Sequence, residues 1–125
     1  MTDPIADLLT RMRNAMKARQ AKTVVPHSGM KCALLEVLKN HRYIADFRVV
    51  KNGAFQEIEI TFSPRQAFQL KRVSKPGQRI YLKKQEIRPV CNGMGIGVYS
   101  TPKGLLTGKE ARAAGVGGEY LCEIW

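Results

Sequence analysis

The sequence predicts an α+β protein of two small lobes. Residues 1–64 read as two helices with an antiparallel sheet, and residues 65–125 as a mostly antiparallel β lobe with one short helix. Three observations carry this prediction. Apolar residues recur at helical spacing through residues 3–19 and again after Ser28. Two alternating apolar runs flank Asn52-Gly53. Beyond Ser63-Pro64 the chain breaks into short alternating segments punctuated by glycine and proline.

In chain order, Asp3 can cap a first helix and Pro4 suits its first position, with Ile5, Leu8, Leu9, Met12 and Met16 as the apolar stripe. Arg11, Arg13, Asn14, Lys17 and Arg19 lie largely off that stripe, either solvated or facing phosphate. A short extended piece, Thr23 to Val25, leads to Ser28 as the cap of a second helix. Its apolar face is Met30, Ala33, Leu34, Val37 and Leu38, and it should stop near Asn40. His41 sits where an imidazole favours the helix dipole, and His27 has no second ligand or acid placed to make it reactive. In the following hairpin Ala45, Phe47 and Val49 alternate, Asn52-Gly53 turns, and Ile58, Ile60 and Phe62 return.

In the second lobe, Ser74-Lys75-Pro76-Gly77 turns between extended arms, Leu70 to Val73 and Arg79 to Leu82. Tyr81 stands among Arg79, Lys83 and Lys84, as half-buried sheet packing or as a ring for a base or sugar. Glu86 to Val90 is irregular. A short strand, Ile96 to Tyr99, ends at Ser100 and Thr101 and turns through Pro102, Lys103 and Gly104. Thr107 to Glu110 has capping-box spacing for a short helix closed by Gly115. A last strand, Tyr120 to Trp125, should place Leu121 and Trp125 on one side and Tyr120, Cys122 and Ile124 on the other.

Charge narrows the class of partner. Twenty-one Lys and Arg against ten Asp and Glu give a net +11 on 125 residues, which draws the molecule toward polyanions. The excess is +4 over residues 1–64 and +7 over residues 65–125. From Arg65 to Arg88 eight cations face only Glu86. The longest uncharged apolar run is far short of the ~20 residues of a membrane span. The front lacks a secretory layout, which points to the cytoplasm, with an organelle as the alternative. Cys32, Cys91 and Cys122 are odd in number and widely spaced, so each is expected to be a small core residue rather than a zinc ligand, half of a disulfide or a nucleophile. No cofactor, metal or small-molecule substrate is expected.

The stretch from Gly93 to Gly104 is the focus of the second lobe. Gly93, Gly95 and Gly97 give G-x-G-x-G, not the dinucleotide fingerprint, and no helix follows at once. What remains is a strand end presenting hydroxyls, backbone N–H groups and one lysine. Glu119, beside Gly117 and Gly118, returns toward it. An acid in a positive field cannot attract phosphate, so it either orients neighbours, accepts from a base edge or 2′-OH, or simply faces solvent at the start of the strand.

Four blocks in order resemble the small-subunit ribosomal protein eight family of bacterial type. They are Asp3 to Asn14, Ser74 to Tyr81, Gly95 to Gly104 and Gly115 to Cys122. The resemblance implies a two-lobed structural protein that binds an irregular stem in the central domain of 16S-type rRNA. It also implies small-subunit protein five as a neighbour and, in some bacteria, binding of its own messenger. It puts the RNA-contacting loop on Ser100, Thr101, Lys103 and Gly104, the supporting aromatic on Tyr81 and the acid on Glu119. Further contacts are expected from Gly118, Lys75, Pro76 and Arg79, and from Asp3, Pro4, Arg11, Arg13, Asn14 and Lys31. Three positions depart from the family. Pro102 replaces a serine, removing one hydroxyl and stiffening the loop. Gly29 replaces a basic residue. Arg42 replaces a helix-ending glycine, so that corner is expected to be rebuilt through Asn40. The rivals are a nucleotide-processing enzyme, which lacks a nucleophile, metal cluster or acid–base pair, and a non-ribosomal RNA- or DNA-binding or regulatory module.

Overall fold

In a computed structural model, which describes residues 3–63 and 68–125, the chain opens with helix α1, Pro4–Lys17. Strand β1 (Lys22–Pro26), helix α2 (Gly29–Asn40) and strands β2 (Ile44–Asn52) and β3 (Phe55–Phe62) follow. Together these make one compact unit, Pro4–Phe68; Asp3 and Gln69–Trp125 make the other. The expected boundary at Pro64, and Arg65 at the head of the basic run, lie outside the described residues. No helix among them is long and apolar enough to cross a membrane.

In the first unit the sheet order is β1-β3-β2, all antiparallel. Central β3 buries Ile58, Ile60 and Phe62 on one face, while Glu57 and Glu59 take the other. That solvated face carries an ion cluster, with Glu59 between Arg48 (3.1 Å) and Lys22 (3.5 Å). The buried stripe of α1 is Ile5, Leu8, Leu9, Met12 and Ala15, with Met16 only half-buried. Helix α2 starts as expected, the Ser28 hydroxyl accepting from Lys31 N at 3.2 Å. Its buried face differs from expectation: Lys31 and Leu35 are inside and Met30 is exposed.

Each helix ends the same way, with a six-to-one hydrogen bond closing over a residue of positive φ. The pairs are Gln20 N to Ala15 O, Tyr43 N to Leu38 O and Val116 N to Ala111 O. The left-handed residues are Arg19 (φ 58°), Arg42 (φ 64°) and Gly115 (φ 73°). The corner after α2 is therefore not rebuilt through Asn40, because Arg42 itself takes the strained conformation. His41 assists by placing Nδ1 3.0 Å from the Val37 carbonyl oxygen.

The second unit is a sheet of β4 (Leu70–Arg72), β5 (Tyr81–Leu82), β6 (Ile96–Thr101), β7 (Gly104–Thr107) and β8 (Gly118–Ile124), with helix α3 (Gly108–Ala114) joining the last two strands. The path β4-β8-β6-β7 is antiparallel, and β5 also pairs with β8. The two arms around Pro76-Gly77 thus lie along one edge of β8. Strand β7 was not expected, since adjacent Leu105 and Leu106 break the alternation that marks a strand. Below the sheet, Tyr99, Ile87 and Ala111 form a core with Leu82, Leu106, Val116 and Tyr120 packed on it. The Tyr99 and Tyr120 rings stack at 4.5 Å.

The expected alternation of the last strand fails at Leu121. Val98 pairs with Cys122 and Tyr99 with Tyr120, so Leu121 is an extra residue, a β-bulge. The bulge lets Leu121 and Cys122 both be buried and brings Tyr120 round to donate its hydroxyl to Glu123 at 2.6 Å. The cysteines divide: Cys122 is buried, Cys32 partly so, and Cys91 is exposed at φ 49° in a 3-10 turn, where it packs no core.

Candidate nucleic-acid interface

Glu119 on β8 lies between β5 and β6, directly opposite Tyr81 on one side and Ser100 on the other. Directly opposed residues of antiparallel strands project from the same face. Tyr81, Glu119 and Ser100 thus form one row, the face opposite to that carrying Tyr99 and Tyr120. Tyr81 is 68% exposed, so its side chain is not spent on sheet packing. The Ser100 hydroxyl has no hydrogen-bond partner among the described residues.

One residue beyond Ser100 the β6–β7 turn begins. Thr101 Oγ1 donates to the Gly104 carbonyl at 2.8 Å and accepts from Lys103 N at 3.1 Å. Its hydroxyl is thereby spent on the turn, and Thr101 shapes the loop instead of offering a free group. Pro102, with φ fixed near −65°, enters the turn and Gly104 leaves it at φ 105°, a value that only glycine adopts easily. Lys103 stands exposed at the tip. Gly118 has a packing reason as well: a Cβ there would lie well inside contact distance of the Ser100 carbonyl oxygen. Its lack of a side chain is what lets β8 and β6 close up under the row.

A second turn projects from the other edge of β8, between β4 and β5. Lys75 and Gln78 exchange backbone hydrogen bonds at 3.0 and 2.9 Å across Pro76-Gly77. The buried Ser74 hydroxyl closes the neck, accepting from Ile80 N at 2.7 Å and donating to Ile80 O at 3.3 Å. Lys75 is exposed on this turn and Pro76 half-buried. Arg79 leaves the turn and reaches Glu119, its Nη1 3.1 Å from Oε2 and 3.4 Å from Oε1. The hydrogen bond to Glu119 comes first among the causes that hold the Arg79 guanidinium above its already high usual pKa. Nothing in the spacing of 79 and 119 announces that pair.

The other expected contacts lie elsewhere. Asp3 is held by Arg72, Nε to Oδ2 at 3.1 Å and Nη2 to Oδ1 at 3.3 Å, while Arg72 Nη1 also donates to Leu121 O at the bulge. Its carboxylate fastens the front of the chain to the second unit. Lys31 is 5% exposed, with Nζ donating to the Pro26 carbonyl oxygen at 3.1 Å. Arg11 pairs with Asp7 at 3.0 Å on exposed helix surface. Pro4, Arg13 and Asn14 are exposed on α1, in the unit that does not hold the row.

The chain matches the family model described as Ribosomal protein S8 over residues 3–125. It is 48% identical over 130 residues to a Desulforudis audaxviator protein called small ribosomal subunit protein uS8, covering 100% of this chain and 99% of that one. It is 46% identical over 128 residues to proteins of the same name from Burkholderia multivorans and Burkholderia thailandensis, covering 99% of this chain and 98% of each.

Proposed function

The chain belongs to the ribosomal protein S8 family, a structural constituent of the small ribosomal subunit and not an enzyme; from that premise we propose that its second unit binds 16S-type rRNA directly, at a distorted stem of the central domain, and supports subunit assembly. The observation that carries this reading is the row Tyr81–Glu119–Ser100 beside two tight turns tipped by Lys75 and Lys103. Cations on rigid turns attract and register the phosphate backbone, which carries little sequence information. A free hydroxyl and an exposed ring between them suit 2′-OH groups and splayed bases, the features that mark irregular RNA. The work is positional: the ion pair, hydroxyl and ring hold a surface ready for the nucleic acid, and no bond is made or broken.

Small-subunit protein five as a neighbour, the protein's own messenger as a second ligand and residence on a cytoplasmic ribosome extend the proposal on the strength of the family resemblance. The test is binding of Ser100→Ala to a folded central-domain rRNA fragment and to an unrelated RNA duplex of equal length. Loss of one hydroxyl hydrogen bond should weaken the cognate complex by about fivefold, the scale of ~1 kcal/mol, and leave the duplex nearly untouched. Equal losses on both RNAs would remove Ser100 from recognition. Competition with duplex DNA separates a DNA-binding module, because 2′-OH readout is lost there.

A further inference from the structure

We infer that Glu119 is a positioning residue that acts on RNA through Arg79, holding the guanidinium so that its open donor edge meets a backbone phosphate next to the Ser100 hydroxyl. The inference rests on the RNA-binding reading above and assigns the roles within that row.

Both carboxylate oxygens of Glu119 face a single nitrogen of Arg79, Nη1. The Glu119 side chain is only 12% exposed, whereas that of Arg79 is 50% exposed. A carboxylate that is covered and already engaged is poorly placed to accept from a base edge, and bare it would repel phosphate. A guanidinium has donors on three nitrogens in a fixed fork. With Nη1 turned to Glu119, Nε and Nη2 have no partner among the described residues, and together they form the edge that takes two oxygens of a phosphate. The backbone on either side of Arg79 is fixed, by the Lys75–Gln78 bridge before it and the Ser74–Ile80 hydrogen bonds after it. The arginine therefore meets its ligand with little freedom left to lose, the general condition for an ordered contact to add affinity. Tyr81 and Ser100, flanking Glu119 in register, border the place where that phosphate would sit.

The test is a double-mutant cycle on the full chain, with the folded central-domain rRNA fragment and the unrelated duplex as probes. With Arg79 present, Glu119→Gln should weaken binding to the fragment about tenfold, the scale of one charge-assisted hydrogen bond. In the Arg79→Ala background the same change should cost nothing further. Arg79→Lys keeps the charge but not the fork; it should bind the fragment as poorly as Arg79→Ala while retaining the wild-type salt dependence. If Glu119→Gln costs the same with or without Arg79, the acid reads RNA by itself and the inference is wrong. It is equally wrong if Glu119→Gln tightens the cognate complex, since the acid would then only oppose phosphate. Thermal unfolding checks that each variant folds, and should Glu119→Gln not fold, wild-type affinity in Arg79→Lys would overturn the assignment by itself. A wild-type protein that fails to distinguish fragment from duplex sinks the parent reading instead.

Discussion

Tyr99, Tyr120 and Cys122 show how single side chains fix the chemistry of the second unit. Burial pushes the Tyr99 hydroxyl from 10.0 up to about 12 and the Cys122 thiol from 9.0 up to about 12. Tyr120 is raised further, first by burial and then by donating its hydroxyl to Glu123. All three are acids that hold their protons in the folded protein, while the unfolded chain gives them up nearer 9 and 10. The folded state thus binds more protons at high pH, and the linkage relation makes stability fall as pH rises. Stability should decline between about pH 9 and 12. Tyrosinate absorbance and far-ultraviolet circular dichroism followed together check this. Ionisation of all four tyrosines near pH 10 with the fold intact would show that Tyr99 and Tyr120 are not sealed. At this scale the sequence was a partial guide. Cys122 could be placed in a core, but Cys91 could not be told apart from it, because a cysteine carries no local mark of whether its turn faces inward. The burial of Lys31 was not legible for a related reason: its long apolar stem can bury and its ammonium can find a carbonyl, and only the position of Pro26 decides that.

Helix ends and strand register are decided by whole elements. The caps were legible because they are local: Ser28, Thr107 with Glu110, and Gly115 all act within four residues of where they stand. The Leu121 bulge was not, because an extra residue in β8 exists only relative to β6, more than twenty residues away in sequence. Strand β7 escaped for want of alternation. The shared helix-closing motif yields a test. Arg19 and Arg42 occupy the left-handed position that Gly115 fills after α3, and a side chain there costs roughly 1 kcal/mol of strain. Arg42→Gly relieves the strain, partly offset by the greater freedom that glycine gives the unfolded chain. The expected gain is about 0.5 kcal/mol, and Arg42→Ala, which keeps the strain, should gain nothing. Urea denaturation of the two variants distinguishes them. Equal stabilities would mean that the corner relaxes when the arginine is removed.

Over the whole molecule the surplus of +11 selected the class of partner before any fold was known, because net charge is additive and needs no contacts. The row itself was beyond such reading. Residues 81, 100 and 119 become neighbours only through the pairing of β5, β8 and β6, and Arg79 meets Glu119 across forty positions of sequence. Charge and row should separate in the response to salt. Each phosphate neutralised by a cation releases counterions, so the logarithm of the binding constant falls linearly with the logarithm of salt, by roughly 0.7–0.9 per contact. Lys103→Ala and Lys75→Ala should each flatten that slope by about this amount and weaken the cognate and unrelated RNAs alike, since a lysine on a phosphate does not read sequence. Ser100→Ala should lower cognate affinity at every salt concentration and leave the slope unchanged. Titrations of the central-domain fragment across a salt series measure both quantities on the same samples. An unchanged slope in both lysine variants would place the phosphate contacts elsewhere on the surface. A slope altered by Ser100→Ala would mean that loss of the hydroxyl shifts the whole docking register, so that attraction and recognition are not separable on this face.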